Sequence, residues 1–337
     1  MLNEPLTVRA ACHARISIDI AAPRKAELVI EYLDDGRLLA CEYRPLAAGT
    51  DALDIKTHPE ATHIDCSMQA SGRLVAEAQF DVICGDDITP VARHFIVIGA
   101  MKAGTTTLFR MLARHPALCR TWAEVPGVSF PKEINYFRSL YRKEHTPLHY
   151  DWRFPFDPAR HAWTLDVSPN YAKLPESKAV PARITSLGAE VKLAYILREP
   201  VDRIESQFAH MLHDEGEVGN IHHCIRVSRY AMHLDRFTAH IPREDILLLD
   251  FEQLGRDPAS VLTQVCDFLH IDRFSTRSRA LNKRQIKFKL NSTRRAEFAE
   301  AVRPDVQRLI GEYGFKPAEK WLRKPTAWWR RLPAFWK

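Results

Sequence analysis

His94-Phe95-Ile96-Val97-Ile98-Gly99-Ala100-Met101-Lys102-Ala103-Gly104-Thr105-Thr106-Thr107-Leu108 decides the reading of this chain. Phe95 to Ile98 is a short apolar run of the kind that makes a buried strand, and the sequence from Thr105 to about His115 reads as a helix. A strand that enters a helix through a glycine-containing turn aims backbone N–H groups and the positive end of the helix dipole at one point, where an anion is favoured. Gly99 and Gly104 allow close approach of the backbone. Lys102 adds a point charge, and Thr105 and Thr106 add hydroxyl donors. Lys102, Ala103, Gly104, Thr105, Thr106 and Thr107 therefore read as a nucleotide phosphate site. The pattern is not the nucleoside-triphosphate loop GxxxxGK[ST], because Lys102 precedes the second glycine instead of following it. A βα turn with an incidental lysine and a nucleotide or small-molecule kinase are the alternatives. Against the kinase, no matching carboxylate for Mg²⁺ is evident.

Working outward, apolar β-type runs at Phe95–Ile98, Leu193–Leu197 and Ile246–Leu249 are each followed by helix-like sequence. This is the signature of βαβ units around a parallel sheet, an α/β fold. Leu197-Arg198-Glu199-Pro200-Val201-Asp202-Arg203-Ile204-Glu205-Ser206-Gln207-Phe208 ends one such strand and opens a helix at Pro200, a residue favoured in a first turn.

The segment GAMKAGTTTL resembles the 5′-phosphosulfate loop of sulfotransferases that use 3′-phosphoadenosine 5′-phosphosulfate (PAPS). These enzymes have a nucleotide-kinase-like fold but transfer a sulfuryl group, which fits the shifted lysine. Residues 197–208 resemble the family's 3′-phosphate site, in which an Arg and a Ser eight residues on hold the phosphate; the resemblance implies Arg198 and Ser206. A planar guanidinium suits phosphate because it donates two bonds at once. Pro131-Lys132-Glu133-Ile134-Asn135-Tyr136-Phe137 resembles a segment of heparan sulfate and related carbohydrate sulfotransferases, which implies Glu133 as general base, with Lys132 beside it on the substrate side. Leu165-Asp166-Val167-Ser168-Pro169-Asn170-Tyr171 resembles the acceptor-side SPxY segment and implies substrate roles for Asp166 and Ser168; a turn cap is the alternative for Asp166. Related enzymes often carry a lysine where this chain has Val167, so that role falls to Lys102 or Lys132, or the acceptor differs. In cytosolic small-molecule sulfotransferases the base is a histidine, which makes His210 the second choice of base. The family places a basic loop over PAPS where residues 279–295 stand, with Lys283 and Arg284 as cofactor-binding residues; a solvated charge run is the alternative.

The resemblance covers about residues 94–320. It implies a sulfotransferase domain at 93–320 that takes PAPS as sulfuryl donor, needs no metal, and acts on a hydroxyl of a carbohydrate or glycosylated small molecule. His222-His223-Cys224 has no fourth ligand at a useful spacing. Residues 1–92 lie outside the resemblance. There, alternating Arg15–Ile20 and Ala76–Val82, and a hairpin across Asp34-Asp35-Gly36, predict a small β-sandwich-like accessory domain. If that unit were the working part, the chain would be a glycan-binding protein with a vestigial nucleotide site.

The chain has 337 residues, with 48 Lys+Arg against 42 Asp+Glu. The net +6 is unevenly spread. Residues 1–93 hold 9 basic and 15 acidic side chains, 94–272 hold 21 and 22, and 273–337 hold 18 and 5. The basic end has no recognition module that would suit nucleic acid. Residues 321–337 form a basic tail carrying Trp321, Trp328, Trp329 and Trp336. Such a tail suits a membrane interface, a sugar surface, or packing on the domain or a second subunit. No apolar run reaches the ~18 residues of a membrane span. Seven scattered cysteines without a CxxC pair and an N-terminus interrupted by Glu4, Arg9 and Arg15 predict a cytoplasmic protein with reduced thiols.

Overall fold

The computed structural model describes residues 5–19, 22–23, 25–71, 73–75, 78–87, 90–121, 133–138, 147–175, 177–214, 220–276 and 288–322. Eight strands come first: β1 (Leu6–Thr7), β2 (Cys12–Ile18), β3 (Ala26–Asp34), β4 (Arg37–Leu46), β5 (Ala52–Lys56), β6 (His63–Ala70), β7 (Arg73–Leu74) and β8 (Phe80–Asp87). They form two antiparallel sheets, one ordered β1-β6-β3-β4 with β7 on β6, the other β5-β2-β8. The β3–β4 hairpin turns on Asp35 and Gly36, both at positive φ (46° and 75°). A two-residue turn that follows the twist of its strands needs that conformation, and Asp-Gly supplies it. In β2 the residues Cys12, Ala14, Ile16 and Ile18 face inward by period-two alternation. They share one apolar core with Leu28, Ile30, Tyr32, Ile64 and Met68 of the other sheet.

The second half is α/β, in the order β9 (Arg93–Gly99), α1 (Thr105–Leu112), β10 (Leu118–Arg120), α2 (Pro147–Asp151), β11 (Trp163–Val167), α3 (Val180–Thr185), β12 (Glu190–Leu197), α4 (Pro200–Asp214), α5 (Ile221–Val227), α6 (Tyr230–Thr238), β13 (Ile246–Asp250), α7 (Phe251–Arg256), α8 (Pro258–Leu269) and α9 (Ser292–Gly311). Its five strands are parallel and ordered β10-β11-β9-β12-β13. Parallel strands buried on both faces must be apolar throughout, which is why Phe95 to Ile98 and Leu193 to Leu197 are almost entirely excluded from solvent. The chain begins this sheet in the middle at β9, runs to one edge, then returns and crosses to the other. Such a switch point leaves a crevice at the carboxyl ends of the central strands, where ligands of open α/β sheets bind. The turn after β9 and the Arg198 segment after β12 both open there.

The end of α2 and the residues after it join the two halves. Tyr150 and Phe154 enter the α/β core, whereas Trp152 enters the core of the antiparallel sheets. The Trp152 indole donates to Lys56 O at 2.8 Å and meets the Tyr32 ring edge-on at 5.3 Å. In return the Lys56 ammonium donates to Phe154 O at 3.3 Å.

Beside this junction lies a buried pair. His94 Nε2 is 3.3 Å from Asp151 Oδ1, both side chains being 1% exposed. Asp151 Oδ2 accepts from Val91 N–H at 2.7 Å, and His94 Nδ1 lies 2.9 Å from the Thr164 hydroxyl. Burial pushes the Asp151 carboxyl up to about 7 and the His94 imidazole down to about 4. Between those values the folded pair is neutral, with its single proton on the carboxyl. The unfolded chain holds one proton too, but on the imidazole, up to about pH 6.5. The proton counts match, so the pair leaves stability nearly independent of pH over that interval. Asp151→Asn keeps an acceptor for Val91 and removes the compensating carboxyl. His94 then remains with a folded value below its unfolded one, and stability is lost as pH falls through about 6.5. The urea midpoint of Asp151→Asn should therefore drop more between about pH 7 and about pH 5 than that of the parent. Parallel drops would refute the neutral pair.

Candidate functional site

The turn after β9 is shaped by its glycines. A Cβ on Gly99 would lie 3.0 Å from the Tyr195 ring and 3.3 Å from Pro169 O. At Gly104 it would lie 3.1 Å from the Phe251 ring, and the residue adopts φ 85°. Lys102 between them is also left-handed, at φ 68°, a conformation that costs a non-glycine residue about 1 kcal/mol or more. It is held there from outside, because Arg198 Nη1 donates to Lys102 O at 3.0 Å. Gly104 is the N-cap of α1. Among the described residues no side chain caps this helix, and its first turn has no acidic residue. An uncapped, acid-free helix start reached through a lysine-bearing turn matches the needs of a phosphate group. Ala103 and Thr105 are buried at this start, while Lys102, Gly104, Thr106 and Thr107 are half-buried.

Arg198 links this turn to the next strand. Its guanidinium lies over the Phe251 ring at 4.8 Å, and its carbonyl accepts from the Tyr230 hydroxyl at 2.7 Å. Lys102, Gly104, Arg198 and Phe251 are thus brought into one assembly by the ends of β9, β12 and β13. Ser206 stands half-buried on α4. Six residues separate it from Pro200, about 9 Å of helix, and His210 lies one turn further, about 15 Å from the helix start.

Glu133 stands at the end of a chain of hydrogen bonds that begins in the core. The Asp166 carboxylate accepts from the Ser168 hydroxyl (2.7 Å), the Tyr171 hydroxyl (2.9 Å) and the Tyr150 hydroxyl (3.2 Å). Ser168 Oγ accepts from Asn135 N–H at 3.1 Å. Asn135 Oδ1 accepts from the Asn170 amide at 3.2 Å, and the same amide reaches Glu133 Oε2 at 3.5 Å. Asn135 also donates to Glu133 O at 3.2 Å. Glu133 itself is exposed. Burial pushes the Asp166 carboxyl up to about 6, against three hydroxyl donors that pull it down.

The residues read from the sequence as substrate contacts, Asp166 and Ser168, lie inside the fold. Both are 0% exposed, and their polar atoms are engaged with each other and with the tyrosines. Through Asn135 they are linked to Glu133. Val167 is also 0% exposed, so its side chain packs into the core from β11. Lys132, Lys283 and Arg284 lie outside the described residues, as do Ala76 and Trp328, Trp329 and Trp336 of the tail. Trp321 is described and packs against Tyr230 and Phe315. At His222-His223-Cys224, Cys224 is buried and His222 exposed.

Several supporting residues carried no sequence signal of their role. Phe251 sits between Gly104 and Arg198, and only the three-dimensional meeting of two strand ends shows it. Asn135 adopts φ 50°, a conformation asparagine tolerates better than most residues. The reach of its backbone to Ser168 leaves no mark in the sequence.

Comparison with known proteins agrees with this geometry. The model of a family described as the sulfotransferase family matches residues 94–275. The chain is 29% identical over 212 residues to the bifunctional heparan sulfate N-deacetylase/N-sulfotransferase 4 of Mus musculus, covering 56% of this chain and 23% of that protein. It is 28% identical over 197 residues to heparan sulfate glucosamine 3-O-sulfotransferase 5 of Mus musculus, covering 52% and 53%. The chain thus spans about a quarter of the first relative and about half of the second. A sulfotransferase crystal structure from Alicyclobacillus acidocaldarius superposes with a TM-score of 0.51 at 22% identity, covering 72% of this chain and 100% of that one, a likeness of fold. The family match spans more than half of the chain and contains both strand-to-helix turns, and on that ground the chain belongs to the sulfotransferase family.

Proposed function

We propose that this sulfotransferase takes PAPS as its donor and transfers the sulfuryl group to a hydroxyl of a carbohydrate or of a glycosylated small molecule. The observation that carries the reading is the meeting of Lys102, Gly104 and Arg198 at the carboxyl edge of the sheet, with Arg198 bonded to the backbone of the Lys102 turn. In this reading backbone donors from Gly104 to Thr106 hold the 5′-phosphate, and Lys102 neutralises the charge it gains on leaving. Arg198 and Ser206 hold the 3′-phosphate. Glu133 takes the proton of the acceptor hydroxyl as the new O–S bond forms and the S–O bond to the 5′-phosphate breaks. Val167 supplies no cation, and that role falls to Lys102 or Lys132, or the acceptor differs. The heparan sulfate relatives support a carbohydrate acceptor. A metal has no part in this scheme. Seven free cysteines, five of them buried, suit a reducing, cytoplasmic setting, and residues 1–92 serve as an accessory unit.

The test is binding and turnover with the whole chain. Calorimetry should show adenosine 3′,5′-bisphosphate binding tighter than ATP with Mg²⁺, and labelled sulfate should pass from PAPS to members of a carbohydrate panel. Preference for ATP with Mg²⁺ would replace this reading with a kinase. Glycan binding without any transfer would replace it with a lectin-like role.

A further inference from the structure

The first two turns of α4 gather carboxylates on one side. Glu199 caps the helix, its Oε2 accepting from Asp202 N–H at 2.6 Å, and Asp202 and Glu205 follow at intervals of three. One cation from the first turn of α9 meets all of them. Arg295 is 2.7 Å from Asp202, 2.6 Å from Glu205 and 3.8 Å from Glu199. Glu205 also takes the Lys289 ammonium at 2.7 Å and the Leu290 N–H at 3.1 Å. Burial of Glu205 works against ionisation, but Lys289 and Arg295 outweigh it and hold the carboxyl below its ordinary range. Burial raises Glu199.

The position of this cluster matters more than its size. Arg198 directly precedes Glu199, and Ser206 directly follows Glu205. Ser206 is also four residues after Asp202, which puts their Cβ atoms about 5–6 Å apart on one helix face. The two residues read as holders of the 3′-phosphate therefore bracket an acidic helix face. A phosphate dianion brought there would be repelled by that face, and the dipole of α4 alone would not offset it.

We propose that Arg295 is the charge-balancing residue of the 3′-phosphate site, and that by neutralising Asp202 and Glu205 it sets the preference for a 3′-phosphorylated nucleotide. The proposal rests on the reading of Arg198 and Ser206 as the holders of that phosphate. A residue that only ties α9 to α4 would affect all nucleotides alike. A charge balancer affects the one with the extra phosphate.

The experiment compares adenosine 3′,5′-bisphosphate with adenosine 5′-phosphate, which share the 5′ contacts, by calorimetry on the full chain at low salt. Arg295→Gln should reduce the preference for the bisphosphate about tenfold, Arg295→Lys should keep it, and raising the salt should shrink the difference. Since Arg295→Gln removes the cation paired with Asp202 and lowers stability, the double variant Asp202→Asn/Arg295→Gln is the second arm. It should restore most of the preference while still lacking the bond between the helices. A preference unchanged in Arg295→Gln, or one not restored in the double variant, overturns the proposal. Arg198→Ala separates the two levels: if it too leaves the preference intact, the assignment of the 3′-phosphate site itself fails.

Discussion

Lys102→Ala should lower kcat for sulfuryl transfer by about 10²–10³, the effect typical of removing one preorganised stabiliser of developing charge. The leaving 5′-phosphate gains negative charge as the S–O bond breaks, and Lys102 stands in the turn proposed to hold that phosphate. Interactions that strengthen as charge develops act on kcat more than on ground-state binding. The affinity for adenosine 3′,5′-bisphosphate should therefore fall by much less than kcat. The substitution leaves the backbone contacts in place, because Arg198 holds the Lys102 carbonyl and not its side chain. Alanine at φ 68° meets the same backbone cost as lysine. Initial rates with labelled PAPS, beside calorimetry of the bisphosphate, measure both quantities. A fall in kcat of less than about threefold would remove Lys102 from the chemistry.

Glu133→Gln should reduce kcat by about 10²–10⁴ and leave nucleotide affinity unchanged, as expected for loss of a general base. The hydrogen-bonded arrangement survives the change, since the Gln carbonyl can still accept from Asn170. What disappears is the capacity to take a proton. Glu133 is exposed where an acceptor could meet it, yet it is anchored through Asn135 and Ser168 to the buried Asp166. His210 stands on α4 beyond Ser206, further from the strand ends than either phosphate motif. Should Glu133→Gln retain full turnover on a competent acceptor, His210→Ala becomes the decisive variant.

The two strand-to-helix turns proposed to hold phosphate were legible because each compresses into a short stretch. A strand, a glycine or proline, a cation and a hydroxyl follow one another in β9–α1 and in β12–α4. The Asp35-Gly36 hairpin was legible for the same reason. β11 was not, because Trp163-Thr164-Leu165-Asp166-Val167 places two polar residues in a strand whose five side chains are all buried. Its apolar–polar alternation is that of a half-exposed strand, whereas here both faces are buried. Thr164 is satisfied by His94, and Asp166 by two tyrosines and a serine, all partners distant in sequence or set by the fold. β10, three residues long, is below the length at which periodicity exists.

The basic end was legible as composition and obscure as structure. Residues 279–295 read as a loop, but from Ser292 the chain is already helical in α9. Cations of this end are drawn into pairs with carboxylates of the preceding segment: Lys289 and Arg295 with Glu205, Arg308 with Asp235, Lys320 with Asp250 and Glu252. These pairs set four of the 18 cations of the basic end against carboxylates of the preceding segment.

Trp152 has a consequence for where this protein can be divided. The family match begins at residue 94, yet a side chain from within the matched region completes the apolar core of the sheets before it. A chain cut at that boundary would strand an indole in water on one side and leave a cavity lined by Tyr32 and His58 on the other. The limit of family likeness is therefore not a limit of cooperative folding. Heat or denaturant acting on the antiparallel half would be felt in the transferase half, through a residue that takes no part in the chemistry.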